Sequence, residues 1–159
     1  APSWITVTPV SVDTLFAVGV ANERGNIPIS RKNAANAARV EMAQVLETKV
    51  KALFDGFMKE HADLIDPEAP ATSEEFSRTV TRLATDATLV GSQISVYWWD
   101  KANKLYYALA MVSRNSVADQ IRLQTEDLIR KRKAAFAEEN LDEALERMDE
   151  ALRNWDVSK

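Results

Sequence analysis

Hydrophobic and smaller or polar positions alternate in three short segments of the chain. In "TLFAVGVA" (14–21), Phe16, Val18 and Val20 alternate with smaller residues. The segment "ISVYWWDKANKLYYALAMV" (94–112) contains two more alternating runs, one on each side of "DKAN". A period of two places successive side chains on opposite faces of a strand. The pattern therefore predicts one early strand and a later β-hairpin.

Two helices are predicted between the early strand and the hairpin. Apolar residues recur at helical spacing from about residue 30 to 60, and Ser30 is a plausible N-cap for this long helix. A break containing two prolines follows. Thr72 with Glu75 then forms a capping-box pattern, and the apolar positions behind it predict a helix over 73–87.

Two further helices are predicted after the hairpin. The first covers about 116–137 and the second about 141–155, with a break near 138–140. Asn140 and Glu143 form a capping-type pair at the start of the last helix. The alternative is one uninterrupted helix through the whole region.

This order of elements is strand, helix, helix, strand, strand, helix, helix. It predicts an α+β fold in which a three-stranded antiparallel sheet packs against the long helix. We expect an extended N-terminal arm over residues 1–13, with Trp4 against the body. A single α+β domain should cover 14–137, and a C-terminal helical extension should cover 138–159.

The hairpin register decides which side chains share a face. With "DKAN" as the loop, Trp98 should lie opposite Leu105 and Val96 opposite Tyr107. Large side chains then share one face of the sheet, and we expect this face to cover the long helix. Its members are Phe16, Val18, Val20, Ile94, Val96, Trp98, Leu105, Tyr107 and Leu109. The opposite face is small in the middle, with aromatic residues at one end.

Those aromatic residues, Tyr97, Trp99 and Tyr106, form a candidate partner surface. One interpretation is a cross-strand aromatic pair with a purely structural role. A second is a platform on which sugars or bases stack, and a third is a protein-interaction surface. The sequence favours the structural interpretation and leaves the other two open.

The last helix carries a candidate helix-pairing seam. Its residues follow a heptad-like spacing and are Leu141, Leu145, Met148, Leu152 and Trp155. Such a seam either packs on the chain's own sheet or pairs with another copy. We favour packing within the chain.

Composition excludes several kinds of site. The chain has 159 residues, a net charge of −4, no cysteine and a single histidine, His61. Disulfides, thiolate metal sites and multi-histidine metal sites are therefore excluded. No motif marks a serine and an acid as partners of His61, so we expect no catalytic, cofactor-binding or metal-binding residue. The acidic balance also argues against nucleic acid as a partner.

Several of these segments resemble a known family. They are "PSW", the strand segment "FAVGVA", the helix segment "NAANAARVEMAQVLETKV", and the hairpin segments "LVGSQISVYWW" and "LYYALAMV". Together they resemble the small bacterial outer-membrane lipoproteins of the Lpp-twenty type, over about residues 2–118. The family is related to the N-terminal domain of flagellar assembly protein T. The lipid-bearing cysteine of the family is missing, and we expect the sequence to begin after it in the precursor.

The resemblance implies a non-enzymatic protein of the periplasm, anchored to the outer membrane in its precursor. It implies a role in envelope or surface assembly through protein–protein contacts, with a protein partner or self-association. Membrane attachment is expected only through an N-terminal lipid anchor. One alternative is a flagellar-ring accessory domain. The other, of a different class, is a small-ligand binding protein or hydrolase that uses the aromatic hairpin and His61.

Overall fold

One antiparallel sheet of three strands organises the molecule. The computed structural model describes residues 1–69 and 71–158. The strands are β1 (Thr14–Asn22), β2 (Gln93–Asp100) and β3 (Leu105–Ser113), and β3 lies between the other two. The predicted α+β class and antiparallel sheet are confirmed.

A long helix packs on this sheet, and shorter helices pack against it and against one another. In the described chain the α-helical segments are α1 (Ser3–Thr6), α2 (Ile27–Glu60), α3 (Ser73–Val90), α4 (Arg114–Arg130) and α5 (Leu141–Arg153). Short 3₁₀ turns cover Ala62–Leu64 and Glu138–Asn140. The helix α2 lies on β1 and β3, α3 packs on α2 and α4, and α5 packs on α4.

The hairpin register differs from the predicted one by two residues. Trp98 lies opposite Tyr107, where the sequence pattern predicts Leu105, and Val96 lies opposite Leu109. The loop between the strands is formed by residues 101–104, one position later than "DKAN". A β-bulge at Ser95 then moves Ile94 to the other face of the sheet. Alternation of residue types carries no signal for such a bulge, so the sequence could not place it.

The predicted core face is wrong: the small-residue face, not the large-residue face, covers α2. Ala17, Gly19, Ala108 and Ala110 point toward the helix and are buried. A Cβ atom at Gly19 would lie 2.0 Å from the backbone nitrogen of Ala38, so the strand and the helix are in direct backbone contact. Alanines on α2 meet small residues on the sheet because such close packing leaves no room for large ones.

The large-residue face is therefore the outer face of the sheet. Val20 and Val96 are exposed on it, whereas Leu109 is buried without belonging to the main core cluster. The N-terminal arm is not fully extended, because residues 3–6 form one helical turn and Trp4 is half-buried. The end of the arm is bonded to the start of α4, where the backbone nitrogen of Arg114 donates to the Asp13 carbonyl oxygen at 2.8 Å.

The long helix begins earlier than predicted. Asn26, not Ser30, is its N-cap, since the Asn26 side chain accepts a hydrogen bond from the Ile29 backbone nitrogen at 3.0 Å. Pro28 fits the first turn of a helix because the backbone there needs no N–H donor. Ser30 is buried instead, and its hydroxyl bonds both the backbone nitrogen and the carbonyl of Arg24.

The two C-terminal helices are separate, with the predicted break at 138–140. However, α4 ends at Arg130, well before the predicted residue 137. The chain between the two helices is buried at 134–136, where Phe136 pairs with Ile65 in an isolated β-bridge. The apolar cluster "AAF" therefore serves as core rather than as the last turn of a helix.

Candidate interaction surface

The hairpin loop and the start of α2 meet at one end of the molecule. Asn22 pairs with Leu105 at the last position of the β1–β3 ladder, and the Glu23 backbone nitrogen donates to the Lys104 carbonyl at 2.9 Å. The helix α2 begins four residues later. We call this region, residues 20–32 and 97–107, the hairpin end.

Trp99 is the most exposed aromatic side chain at the hairpin end. Its ring stacks on that of Tyr106, with centroids 5.7 Å apart and an interplanar angle of 13°. The Lys101 ammonium lies 5.1 Å from the centroid of the Trp99 ring. Tyr106 is only 3% exposed, whereas Trp99 is 38% exposed. A buried ring thus holds an exposed ring in a fixed orientation, with a cation beside it.

The loop that carries Lys101 is itself held in place by Asp100. Its carboxylate accepts hydrogen bonds from the backbone nitrogen of Asn103 at 3.1 Å and from the Asn103 side-chain amide at 2.8 Å. These hydrogen bonds hold the pKa of the Asp100 carboxyl below its ordinary value, and the ammonium group of Ala1 adds a smaller charge effect.

Tyr97 lies further from the loop, on the same face as Trp99. It is half-buried, and the Arg31 guanidinium carbon lies 5.3 Å from its ring centroid. Of the predicted partner surface, then, only Trp99 is well exposed. Tyr97 is partly covered by α2, and Tyr106 is buried beneath Trp99 because this face of the sheet points toward the helix.

Sequence reasoning missed the cations of the hairpin end. They come from the β1–α2 loop, the first turns of α2 and the hairpin loop: Arg24, Arg31, Lys32, Lys101 and Lys104. All are exposed. The predicted order of elements already places the loop after the first strand beside the hairpin loop. The sequence was therefore sufficient to group these cations at one end of the molecule.

The candidate helix-pairing seam packs inside the chain. Met148 and Leu152 are buried in the main core cluster, and Leu141, Leu145 and Trp155 pack against it half-buried. The seam lies against helices rather than against the sheet, because α2 already occupies the sheet face.

His61 lies at the opposite end of α2 from the hairpin end. Thirty-four helical residues separate the two, which corresponds to about 50 Å. The His61 Nδ1 atom lies 3.1 Å from a terminal nitrogen of Arg147. The same nitrogen donates to the Asp63 carboxylate at 3.2 Å. Hydrogen bonds from Arg147 to Glu143 and Asp63 raise the pKa of the guanidinium further. His61 thus helps to join the end of α2 to α5.

A cleft of about 620 Å³ between α2 and α5 includes His61, Arg147 and Trp155 among its lining residues. Neither Trp98 nor Tyr107 lines it, so the aromatic hairpin and His61 do not share this cleft. Among residues 1–69 and 71–158, no group of three or more acidic or histidine side chains is arranged to hold a metal ion. In the same part of the chain, no helix has the length and apolar character needed to cross a bilayer.

The chain matches no protein-family model and no curated protein sequence. The resemblance to the Lpp-twenty type therefore depends on the sequence segments quoted above.

Proposed function

We propose that the protein is a non-enzymatic component of the bacterial cell envelope that acts in envelope or surface assembly through contacts made by its hairpin end. The envelope location is inferred from the resemblance of residues 2–118 to outer-membrane lipoproteins. The contact surface is inferred from the geometry of the hairpin end.

The observation that carries the proposal is the fixed, exposed ring of Trp99. Its stack on buried Tyr106 restricts the ring before any partner arrives. Ordering an interface side chain on binding costs free energy, so a side chain that is already ordered binds more tightly. Tryptophan is also among the interface residues whose truncation to alanine weakens binding most. The hydrogen bonds between Asp100 and Asn103 order the neighbouring loop in the same way.

The test is photo-crosslinking in bacterial cells that express the full-length precursor. A photo-reactive phenylalanine derivative replaces Ala102, which is exposed in the hairpin loop. The matched control carries it at Val90, which is 89% exposed at the far end of the sheet. We expect the protein to fractionate with the envelope. We also expect covalent adducts, to protein or to lipid and detected by mass, from position 102 but not from position 90.

Trp99→Ala should reduce the adduct yield from position 102 while leaving the circular dichroism spectrum unchanged. A protein that remains in the cytoplasm would contradict the envelope location. Equal adduct yields from positions 102 and 90, or none from either, would contradict the contact surface.

A further inference from the structure

The cations of the hairpin end have no acidic partner among the described residues. None of Arg24, Arg31, Lys32, Lys101 and Lys104 forms an ion pair with another residue in the described ranges 1–69 and 71–158. Elsewhere many cations are paired, for example Arg122 with Glu126 and Arg147 with Glu143. Charges that the fold does not neutralise are available to a partner.

The hairpin end is also basic relative to the rest of the chain. It holds five cations and two acids, Glu23 and Asp100, whereas the whole chain has 20 cations and 24 acids. The Asp100 carboxylate bonds the neutral Asn103 and keeps its negative charge, so cations exceed acids by three at this end. The local field at this end therefore attracts anions although the protein as a whole is acidic.

Exposed apolar side chains lie among these cations. Val20, Ile27 and Ile29 are 48%, 51% and 47% exposed, and Trp99 lies at the same end. Ile27 and Ile29 flank Pro28 in the first turn of α2, next to the loop that carries Arg24. Branched aliphatic side chains do not stack on bases, so this mixture does not fit a single-stranded nucleic acid.

Aliphatic and tryptophan side chains mixed with lysine and arginine fit the interface of a bilayer. Apolar groups there enter the boundary between headgroups and acyl chains, and cations stay with the phosphates. The residues of the hairpin end come from two separate segments, 20–32 and 97–107. The larger clefts, of about 360 to 620 Å³, lie between other elements. An end built in this way suits a broad surface better than a single peptide in a groove.

We propose that the hairpin end docks on the anionic headgroups of a lipid bilayer. Trp99, Ile27 and Ile29 enter the headgroup boundary, and the unpaired cations contact the phosphates. This inference rests on the proposed function, because it names the partner of the same surface.

The test measures binding of the purified chain to vesicles by flotation. One set of vesicles contains phosphatidylcholine alone, and the other is an equal mixture of phosphatidylcholine and phosphatidylglycerol. We expect binding to the mixed vesicles that weakens as salt is raised, with little binding to the neutral ones. A surface cation contributes about fivefold to such binding. Replacing two such cations should weaken binding about 25-fold or more, so this is the loss expected for Lys32→Glu with Lys101→Glu.

The matched control is Lys59→Glu with Arg82→Glu. Both residues are exposed, form no ion pair within the described chain and lie away from the hairpin end, and the change in net charge is the same. We expect this control to keep most of the binding. Thermal unfolding of both double variants checks that they are folded.

Trp99→Ala should weaken the binding that persists at high salt, since that part depends on apolar contact. The proposal is overturned if the wild-type chain does not prefer the anionic vesicles, or if both charge-reversed pairs lose binding equally. Protein adducts from position 102 together with no vesicle binding would mean that an acidic protein is the partner. That result would overturn the lipid assignment and leave the proposed function standing.

Discussion

Gly19 sets the distance between α2 and the sheet. A side chain at this position would overlap backbone atoms of Ala34 and Ala38, which cannot rotate away as a flexible side chain would. Residues with larger side chains on this face would hold the helix further from the strand. The first turns of α2 would then move relative to β2, where Arg31 covers Tyr97.

Gly19→Ala should therefore destabilise the protein by roughly 3 kcal/mol or more, because α2 has to shift. Gly56→Ala is the matched control. Gly56 lies on an exposed side of the same helix. Apart from the neighbouring backbone of that helix, no described atom lies within 4 Å of the position that an added methyl group would take. Alanine there should stabilise the protein by about 0.5–1 kcal/mol. Urea denaturation measures both changes. A Gly19→Ala variant as stable as the wild type would contradict the close packing.

The grouping of side chains into two faces was largely predictable from the sequence, whereas the side that meets α2 was not. Phe16, Val18 and Val20 do share a face with Trp98 and Tyr107. The error came from assigning the largest apolar residues to the core. Alanine and glycine bury less apolar area per residue than large side chains do. They form the strip of α2 and the strip of the sheet that meet each other. These small residues let the backbones of α2 and the sheet approach closely, however. That close approach determines which face of the sheet packs against the helix.

Helix starts depend on whether a side chain reaches the free backbone N–H groups of the first turn. The sequence contains similar capping patterns at Thr72 and Asn140. In the structure only Thr72 caps, and its hydroxyl accepts from the Glu75 backbone nitrogen at 3.1 Å. Asn140 makes no such bond, because the chain enters α5 from a 3₁₀ turn. A pattern of residue types does not show the backbone conformation that precedes a helix.

Thr72→Ala should cost about 1 kcal/mol in the free energy of unfolding, since a cap bond is lost. Asn140→Ala should change it by less than about 0.5 kcal/mol. Chemical denaturation of the two variants side by side provides the measurement. Equal losses in the two variants would show that the capping assignment is wrong.

At the scale of the whole molecule, the two ends of α2 have different chemistry. Exposed aliphatic side chains and Trp99 of β2 lie around the amino-terminal end, with cations that form no ion pair among the described residues. Near the carboxyl-terminal end, Arg147 is engaged by His61, Asp63 and Glu143. The excess of cations at the amino-terminal end of α2 is not apparent from the net charge of the whole chain, which is −4. It appears only when the fold brings the β1–α2 loop and the hairpin loop together.

The hairpin end, and not the opposite end, is the surface that we propose meets an anionic membrane. The chain contains no cysteine, so a single introduced cysteine can be labelled with an environment-sensitive dye. The dye is placed at Ala102→Cys in the hairpin loop or at Val90→Cys at the far end of the sheet. The emission wavelength is then recorded as mixed phosphatidylcholine–phosphatidylglycerol vesicles are added. We predict a blue shift for the dye at position 102 and none at position 90. A shift at position 90 alone, or no shift at either position, would contradict the claim.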